Sequence, residues 1–107
     1  MSRPDADLNI AVTFRHTEST EALKQYASEK LLNCARKYVS YPTDIHIVLS
    51  IEKRDHIAEV QVRSKGYEAS AKSTSEDLYA AIDRVVDAVD AQLRKQKERI
   101  VEHRPSR

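Results

Sequence analysis

Residues 45–72, IHIVLSIEKRDHIAEVQVRSKGYEASAK, carry three successive runs in which every second residue is apolar, and that repetition decides the fold. Ile45, Ile47, Leu49 and Ile51 alternate with His46, Val48, Ser50 and Glu52. Ala58, Val60 and Val62 alternate with Glu59, Gln61 and Arg63, and Tyr67, Ala69 and Ala71 alternate with Glu68, Ser70 and Lys72. Successive side chains of a strand point to opposite sides of a sheet, so a period of two marks a strand with one buried face. Lys53 to His56 reads as the polar turn between the first two runs. Gly66, the only glycine, stands between the second and third, where a hairpin needs a residue that accepts positive φ. Three strands joined by short turns predict a meander.

Outward from this stretch the pattern changes twice. Upstream, Leu8, Ile10, Val12 and Phe14 alternate with polar or small residues over Leu8 to His16, which predicts a fourth strand. Between it and the meander, Leu23, Ala27, Leu31, Cys34 and Tyr38 fall on one helical face within Thr17 to Tyr38. Thr20 is placed to cap this helix and Glu21 to favour its first turn. Tyr41 and Pro42 break it, since the residue before proline is pushed out of helical geometry. Downstream, Ile82, Val85, Val86, Val89, Leu93 and Ile100 recur at spacings of three, four and seven, predicting a long amphipathic helix from Ser73 to His103. Ser73 and Glu76 have capping-box spacing at its start, and Pro105 marks the end of order.

The predicted fold is α+β, a two-layer sandwich in the order β-α-β-β-β-α, with a four-stranded sheet and both helices packed on one face. The first two strands, joined through a helix, should be parallel with a right-handed crossover. The other face stays wet, lined by Thr13, Arg15, His46, Ser50, Glu52, Glu59, Gln61, Arg63, Glu68 and Lys72. It lacks the exposed aromatics on which sheet-type RNA binders stack bases. A chain of 107 residues is a single-domain length, expected to be ordered over about 7–103 and to bury roughly two-thirds of its unfolded surface.

Composition excludes more than it selects. Lys and Arg total 18 against 17 for Asp and Glu, a net charge of +1, so any electrostatic partner must be read from where charges lie. A single cysteine allows no internal disulfide, and no apolar run suits a signal peptide or membrane span, so a cytoplasmic location is expected. His16, His46, His56 and His103 lack metal-ligand spacing, although His46 and His56 could approach across a hairpin. Cys34 lies on a buried helical face and reads as core rather than nucleophile. Tyr79 borders the apolar face and reads as packing, and Asp77 as helix-start electrostatics. With no glycine-rich phosphate loop either, no enzyme, metal, cofactor, small-molecule substrate or membrane contact is expected.

Charge placement points elsewhere. Arg84, Lys95 and Arg99 lie along one line of the second helix, through Ala88 and Ala91. Beside it runs a mainly acidic line of Asp83, Asp87, Asp90, Arg94 and Glu98. On the first helix Tyr26, Lys30, Asn33 and Lys37 form a third line bordering the buried stripe. Two such edges could frame a basic groove for a polyanion. The plainer alternative is that these stems cover the core margin and hold their amines in water. Duplex-RNA binding, or protein recognition through the wet sheet face or an edge strand, are further possibilities at this point.

The run Asp77-Leu78-Tyr79-Ala80-Ala81-Ile82-Asp83, followed by Gln92, Lys95 and Lys97, closely resembles the second-helix signature of the ribosome hibernation promoting factors, a family that includes ribosome-associated inhibitor A. The resemblance extends through Thr20-Glu21-Ala22-Leu23, Ile51-Glu52-Lys53 and Glu68-Ala69-Ser70-Ala71, nearly the whole chain. It implies a stress or stationary-phase factor lodged in the head–body channel of the small ribosomal subunit. There it would contact ribosomal RNA and exclude messenger and transfer RNA without any chemical step. Lys30, Lys95 and Lys97 fall where the family is commonly basic, and Arg99 continues that tail. The expected RNA-binding set is therefore Lys30, Lys37, Arg84, Arg94, Lys95, Lys97 and Arg99. Where the family usually has lysine or arginine, this chain has Asn33, Ala88 and Ala91. Long members carry a further C-terminal domain that joins two ribosomes, so this chain is expected to be a short form working beside a separate dimerising factor, or the N-terminal part of a long one.

Overall fold

The computed structural model describes residues 8–39 and 42–102, with side-chain surroundings given as far as residue 99. Six elements follow in order: β1 (Leu8–Arg15), α1 (Glu21–Arg36), β2 (Thr43–Glu52), β3 (Asp55–Ser64), β4 (Tyr67–Ser75) and α2 (Leu78–Glu102). The sheet order is β1-β2-β3-β4, with β1 parallel to β2 and the remaining pairs antiparallel. Both helices lie on one face, α2 across β3 and β4 and α1 against α2 and β1. This is the β-α-β-β-β-α sandwich that the alternation predicts.

Each apolar phase points as expected. Ile45, Ile47 and Leu49 of β2, Ala58, Val60 and Val62 of β3, and Ala69 of β4 are buried beneath the helices. From above, α1 contributes Leu23, Ala27, Leu31, Cys34 and Ala35, and α2 contributes Leu78, Ala81, Ile82, Val85, Val86, Val89 and Leu93. Thr43, buried among them, donates from Oγ1 to Ser64 Oγ at 2.8 Å, and that hydroxyl donates on to the Pro42 carbonyl at 3.4 Å. Its burial therefore leaves no polar group without a partner.

Thr20 caps α1 as predicted: its Oγ1 accepts the Leu23 amide at 3.1 Å. The start of α2 differs from expectation. Ser73 begins no helix; β4 runs on to Ser75, with Ser73 paired to Ala58 and Ser75 to His56. The cap is Asp77, whose Oδ1 accepts the Ala80 amide at 2.8 Å. The capping-box spacing of Ser73 and Glu76 is overridden because pairing with β3 satisfies that backbone instead. The first hairpin turn is also shorter than Lys53 to His56. Lys53 and Arg54 alone make it, with Lys53 at φ 58°. Gly66 takes φ 84° in the second turn, as its placement requires.

One wet-face assignment changes, and the two histidines stay apart. Ser50 is buried, flanked across the sheet by Arg15 and Ile57. His46 and His56 do not meet: His46 pairs with Gln61 on the open face and contacts Thr13 Oγ1 at 2.8 Å, whereas His56 shares the phase of Ala58 and Val60. Tyr41, His103 and Pro105 lie outside the described residues, as does the side chain of Ile100.

The exposed edge of β4 is closed by two side chains of α2. Gln92 accepts the Ser70 amide at 3.2 Å and donates to the Ser70 carbonyl at 2.8 Å. Gln96 accepts from the Glu68 amide at 2.9 Å and donates to its carbonyl at 2.6 Å. Each side-chain amide thus stands in for the peptide group of a fifth strand, satisfying an edge that would otherwise invite pairing.

Candidate nucleic-acid interface

The contacts between the helices climb both chains together. Tyr26 and Lys30 meet Asp83, Cys34 and Tyr38 meet Asp90, and Lys97 reaches the Lys37 carbonyl. The helices are therefore parallel, and their N-termini share one end of the layer. Along α2 the charge then sorts lengthwise. Residues 76–90 hold five carboxylates and one arginine, whereas residues 94–99 hold Arg94, Lys95, Lys97 and Arg99 with only Glu98 opposing. Arg36 and Lys37 end α1 at the same place. Of the charged groups on the two helices, the capping Asp77 and Arg99 of α2, and Glu21 and Arg36 of α1, stand close enough to a helix end to complement the macrodipoles. One consequence concerns anion binding: at this end the dipoles oppose an incoming phosphate, so attraction must come from the side chains.

The seam itself is neutralised. Tyr26 donates to Asp83 Oδ1 at 2.6 Å, and Lys30 Nζ stands 3.4 Å from the same oxygen. One helical repeat on, Asp90 Oδ1 takes the Tyr38 hydroxyl at 2.9 Å, Lys37 Nζ at 2.7 Å and the Cys34 thiol at 3.6 Å. Its other oxygen faces Arg94 Nη1 at 3.7 Å. The Tyr26 hydroxyl, then Lys30, holds Asp83 below the usual carboxylate range. Burial works against the Asp90 charge, but Lys37 and Tyr38 outweigh it and Asp90 too is lowered. The ammoniums of Lys30 and Lys37 are raised in return, each chiefly by its hydrogen bond to the facing aspartate. Cys34 is 4 % exposed, and burial followed by the Asp90 charge pushes its thiol up to about 12. It is packed and protonated, as its position on the buried face predicts.

The seven cations expected to bind RNA thus divide. Lys37, Arg94 and Lys97 gather round Asp90 and Tyr38, with Lys37 Nζ 5.4 Å and Lys97 Nζ 6.0 Å from the Tyr38 ring centre. Lys30 stands apart, on Asp83 and over the Tyr26 ring at 5.6 Å. Arg84, Lys95 and Arg99 point outward on α2, exposed like the Ala91 between them. The two helix edges therefore do not frame an open basic groove, because α1's lysines face the aspartates of α2. Periodicity places Asp83 and Asp90 on one line beside the basic one, but it does not say that α1 lies against that side. Arg36, which donates to Asn33 at 3.2 Å, joins the basic end and was missed. Tyr79 also differs: it is 42 % exposed, its ring edge-on to Tyr26 at 5.0 Å.

Among the described residues no group of His, Cys, Asp or Glu is arranged to hold a metal ion, and no helix is long and apolar enough to cross a membrane. A family profile described as "Sigma 54 modulation protein / S30EA ribosomal protein" matches residues 10–101. The chain is 29% identical over 96 residues to the ribosome hibernation promoting factor of Salmonella typhimurium, covering 90% of this chain and 100% of that protein. It is 32% identical over 92 residues to the factor of the same name from Pseudomonas putida, covering 86% and 89% of the two chains. Among solved structures, the N-terminal domain of Thermus thermophilus Protein Y matches with TM-score 0.75 and 33% identity, over 81% of this chain and 97% of that one. A ribosomal subunit interface protein from Coxiella burnetii matches with TM-score 0.74 and 27% identity, over 84% and 98%. The shared element order and the match across nearly the whole length place the chain in the Sigma 54 modulation protein / S30EA ribosomal protein family.

Proposed function

We propose that the chain is a ribosome-associated hibernation factor that occupies the messenger- and transfer-RNA channel of the small subunit and blocks translation sterically under stress or in stationary phase. Relatives named for ribosome hibernation and for the subunit interface support the ribosomal role. The observation that carries the finer reading is the outward cationic surface of α2, where Arg84 and Lys95 have no ion pair or hydrogen bond among the described residues. Such groups can neutralise phosphates without first leaving a carboxylate. Counterion release then supplies the affinity, which falls steeply with salt. Lys30, Lys37 and Arg94 start from ion pairs and contribute less. The protein works as a rigid plug and has no chemical step of its own.

Co-sedimentation with isolated small subunits at graded salt tests this. Replacing Arg84, Lys95 and Arg99 by Glu removes three phosphate contacts, which should abolish binding at physiological salt. A milder Ala series should flatten the log–log salt slope by about 0.7–0.9 per contact. Unchanged co-sedimentation of the Glu variant refutes the α2 footprint. Equal affinity for naked duplex RNA would move the assignment to a general duplex-RNA binder.

A further inference from the structure

The two edges of the sheet are treated differently. That of β4 is closed by Gln92 and Gln96, whereas among the described residues no hydrogen bond reaches the outer edge of β1. The polar side chains of β1 turn inward to β2 instead: Asn9 donates to Asp44 at 3.3 Å and Thr13 contacts His46. Nor does β1 carry the usual defences of an edge strand. Its eight residues pair with β2 without a bulge, contain no proline or lysine, and bear one charge, Arg15, at the very end. On its helix-covered face Leu8, Ile10, Val12 and Phe14 all remain partly exposed, while Ile45, Ile47 and Leu49 beside them are sealed. Leu32, on the side of α1 turned away from α2, is half-exposed as well.

We infer that this edge is a self-association surface, on which β1 of a second copy pairs antiparallel about a twofold axis at Ala11 and extends the sheet to eight strands. The sequence of β1 is complementary to itself in that register. Leu8 faces Phe14 and Ile10 faces Val12 on the apolar side, and Asn9 faces Thr13 on the polar side. Opposed residues share a face, as antiparallel pairing about such an axis demands, and no like charges meet. Two copies of the small exposed Ala11 meet at the axis. A passing peptide would satisfy the backbone equally well, but only one with the same alternation would also match the side chains. A second copy matches all of them and covers the exposed apolar strip in both partners. The surface lies away from the outward cations of α2, so pairing and polyanion binding are separate properties.

Sedimentation velocity of the intact chain from about 1 to about 500 µM should show the mass rising toward twice the 12.2 kDa of one chain. Ala11→Lys sets two ammoniums against each other across the axis, on a face where the monomer tolerates them. It should melt like the wild type at concentrations where the wild type is monomeric, and should itself remain monomeric throughout. Ala11→Cys should cross-link rapidly under mild oxidation, because facing Cα atoms about 4.5–5.5 Å apart suit a disulfide. Asn9→Cys, offset from its own copy by four residues, should not. A wild-type monomer at the highest concentration, an Ala11→Lys dimer, or equal cross-linking at Asn9 and Ala11 would each overturn the inference.

Discussion

Replacing Asp90 by Ala should destabilise the domain more than any other single charge change on α2. Its carboxylate, with the side chain 21% exposed, receives Tyr38 at 2.9 Å, Lys37 at 2.7 Å and the Cys34 thiol at 3.6 Å. A hydrogen bond to a charged group contributes about 1.5–3 kcal/mol, which is the scale for the Tyr38 bond. Lys37 is more than half exposed, so solvent screening leaves its pair a minor addition. The thiol is a weak donor, and Arg94 at 3.7 Å is too distant to add much. Against this, Ala gains roughly half a kcal/mol of helix propensity over Asp. The net loss is about 1–3 kcal/mol, or a fall in melting temperature of roughly 4–24 °C for a domain of this size. Exposed Asp87, three residues away, is the control: Asp87→Ala shares the propensity gain without the hydrogen bonds. The pH dependence has a definite sign. A carboxylate lowered in the folded state stabilises above its unfolded value of 3.8, and that contribution disappears as pH falls through the folded pKa. Thermal melts followed by circular dichroism should therefore separate wild type from Asp90→Ala widely at pH 7 and converge in strong acid. A double-mutant cycle with Tyr38→Phe should return a coupling of about 1 kcal/mol or more. Equal melting of Asp90→Ala and Asp87→Ala, or no coupling to Tyr38, would refute the hub.

Three further outcomes are expected. The raised pKa of Cys34 gives stability that is whole below its unfolded value of 9.0 and lost as pH climbs toward 12. Cys34→Ala should thus flatten the alkaline decline, and in the wild type a thiol-reactive dye should label Cys34 only as fast as the protein opens. Gly66 at φ 84° has open space around it, so Gly66→Ala costs only its backbone strain, about 1–2 kcal/mol, whereas Lys53→Gly at φ 58° should be neutral or stabilising in the same melts. Replacing Gln92 and Gln96 together by Ala unseals β4, which should lower stability by roughly 1–3 kcal/mol and raise light scattering at high concentration; clear, fully stable solutions would contradict the edge-closing role.

The strands were readable because their signal is local: a period of two in Ile45 to Ile51 fixes which face is buried before any partner is known. Thr20 was readable for the same reason, since its cap bond spans three residues. Ser73 was misread because the S-x-x-E spacing is local while its competitor, the ladder to Ala58, is not. The cations suffered most from this limit. Helical periodicity places Lys30 and Lys37 on one line and Asp83 and Asp90 on another, but only the parallel docking of the helices turns those lines toward each other. Gln92 belonged to the resemblance motif without a reason; its hydrogen bonds to Ser70 supply a structural one.

The division of the cations has a consequence for the proposed binding to RNA. A lysine that already shares a carboxylate gains little from a phosphate, because the phosphate must first compete with an ion pair formed at 2.7 Å for Lys37 or 3.4 Å for Lys30. Removing such a lysine should lower stability while leaving the salt slope of binding nearly unchanged. Removing Arg84 or Lys95, which hold no carboxylate among the described residues, should do the reverse. Stability and affinity are thereby assigned to different cations on the same two helices. Measuring melting temperature and salt slope for Lys37→Ala and Lys95→Ala decides it, since a shared plug surface would move both quantities in both variants.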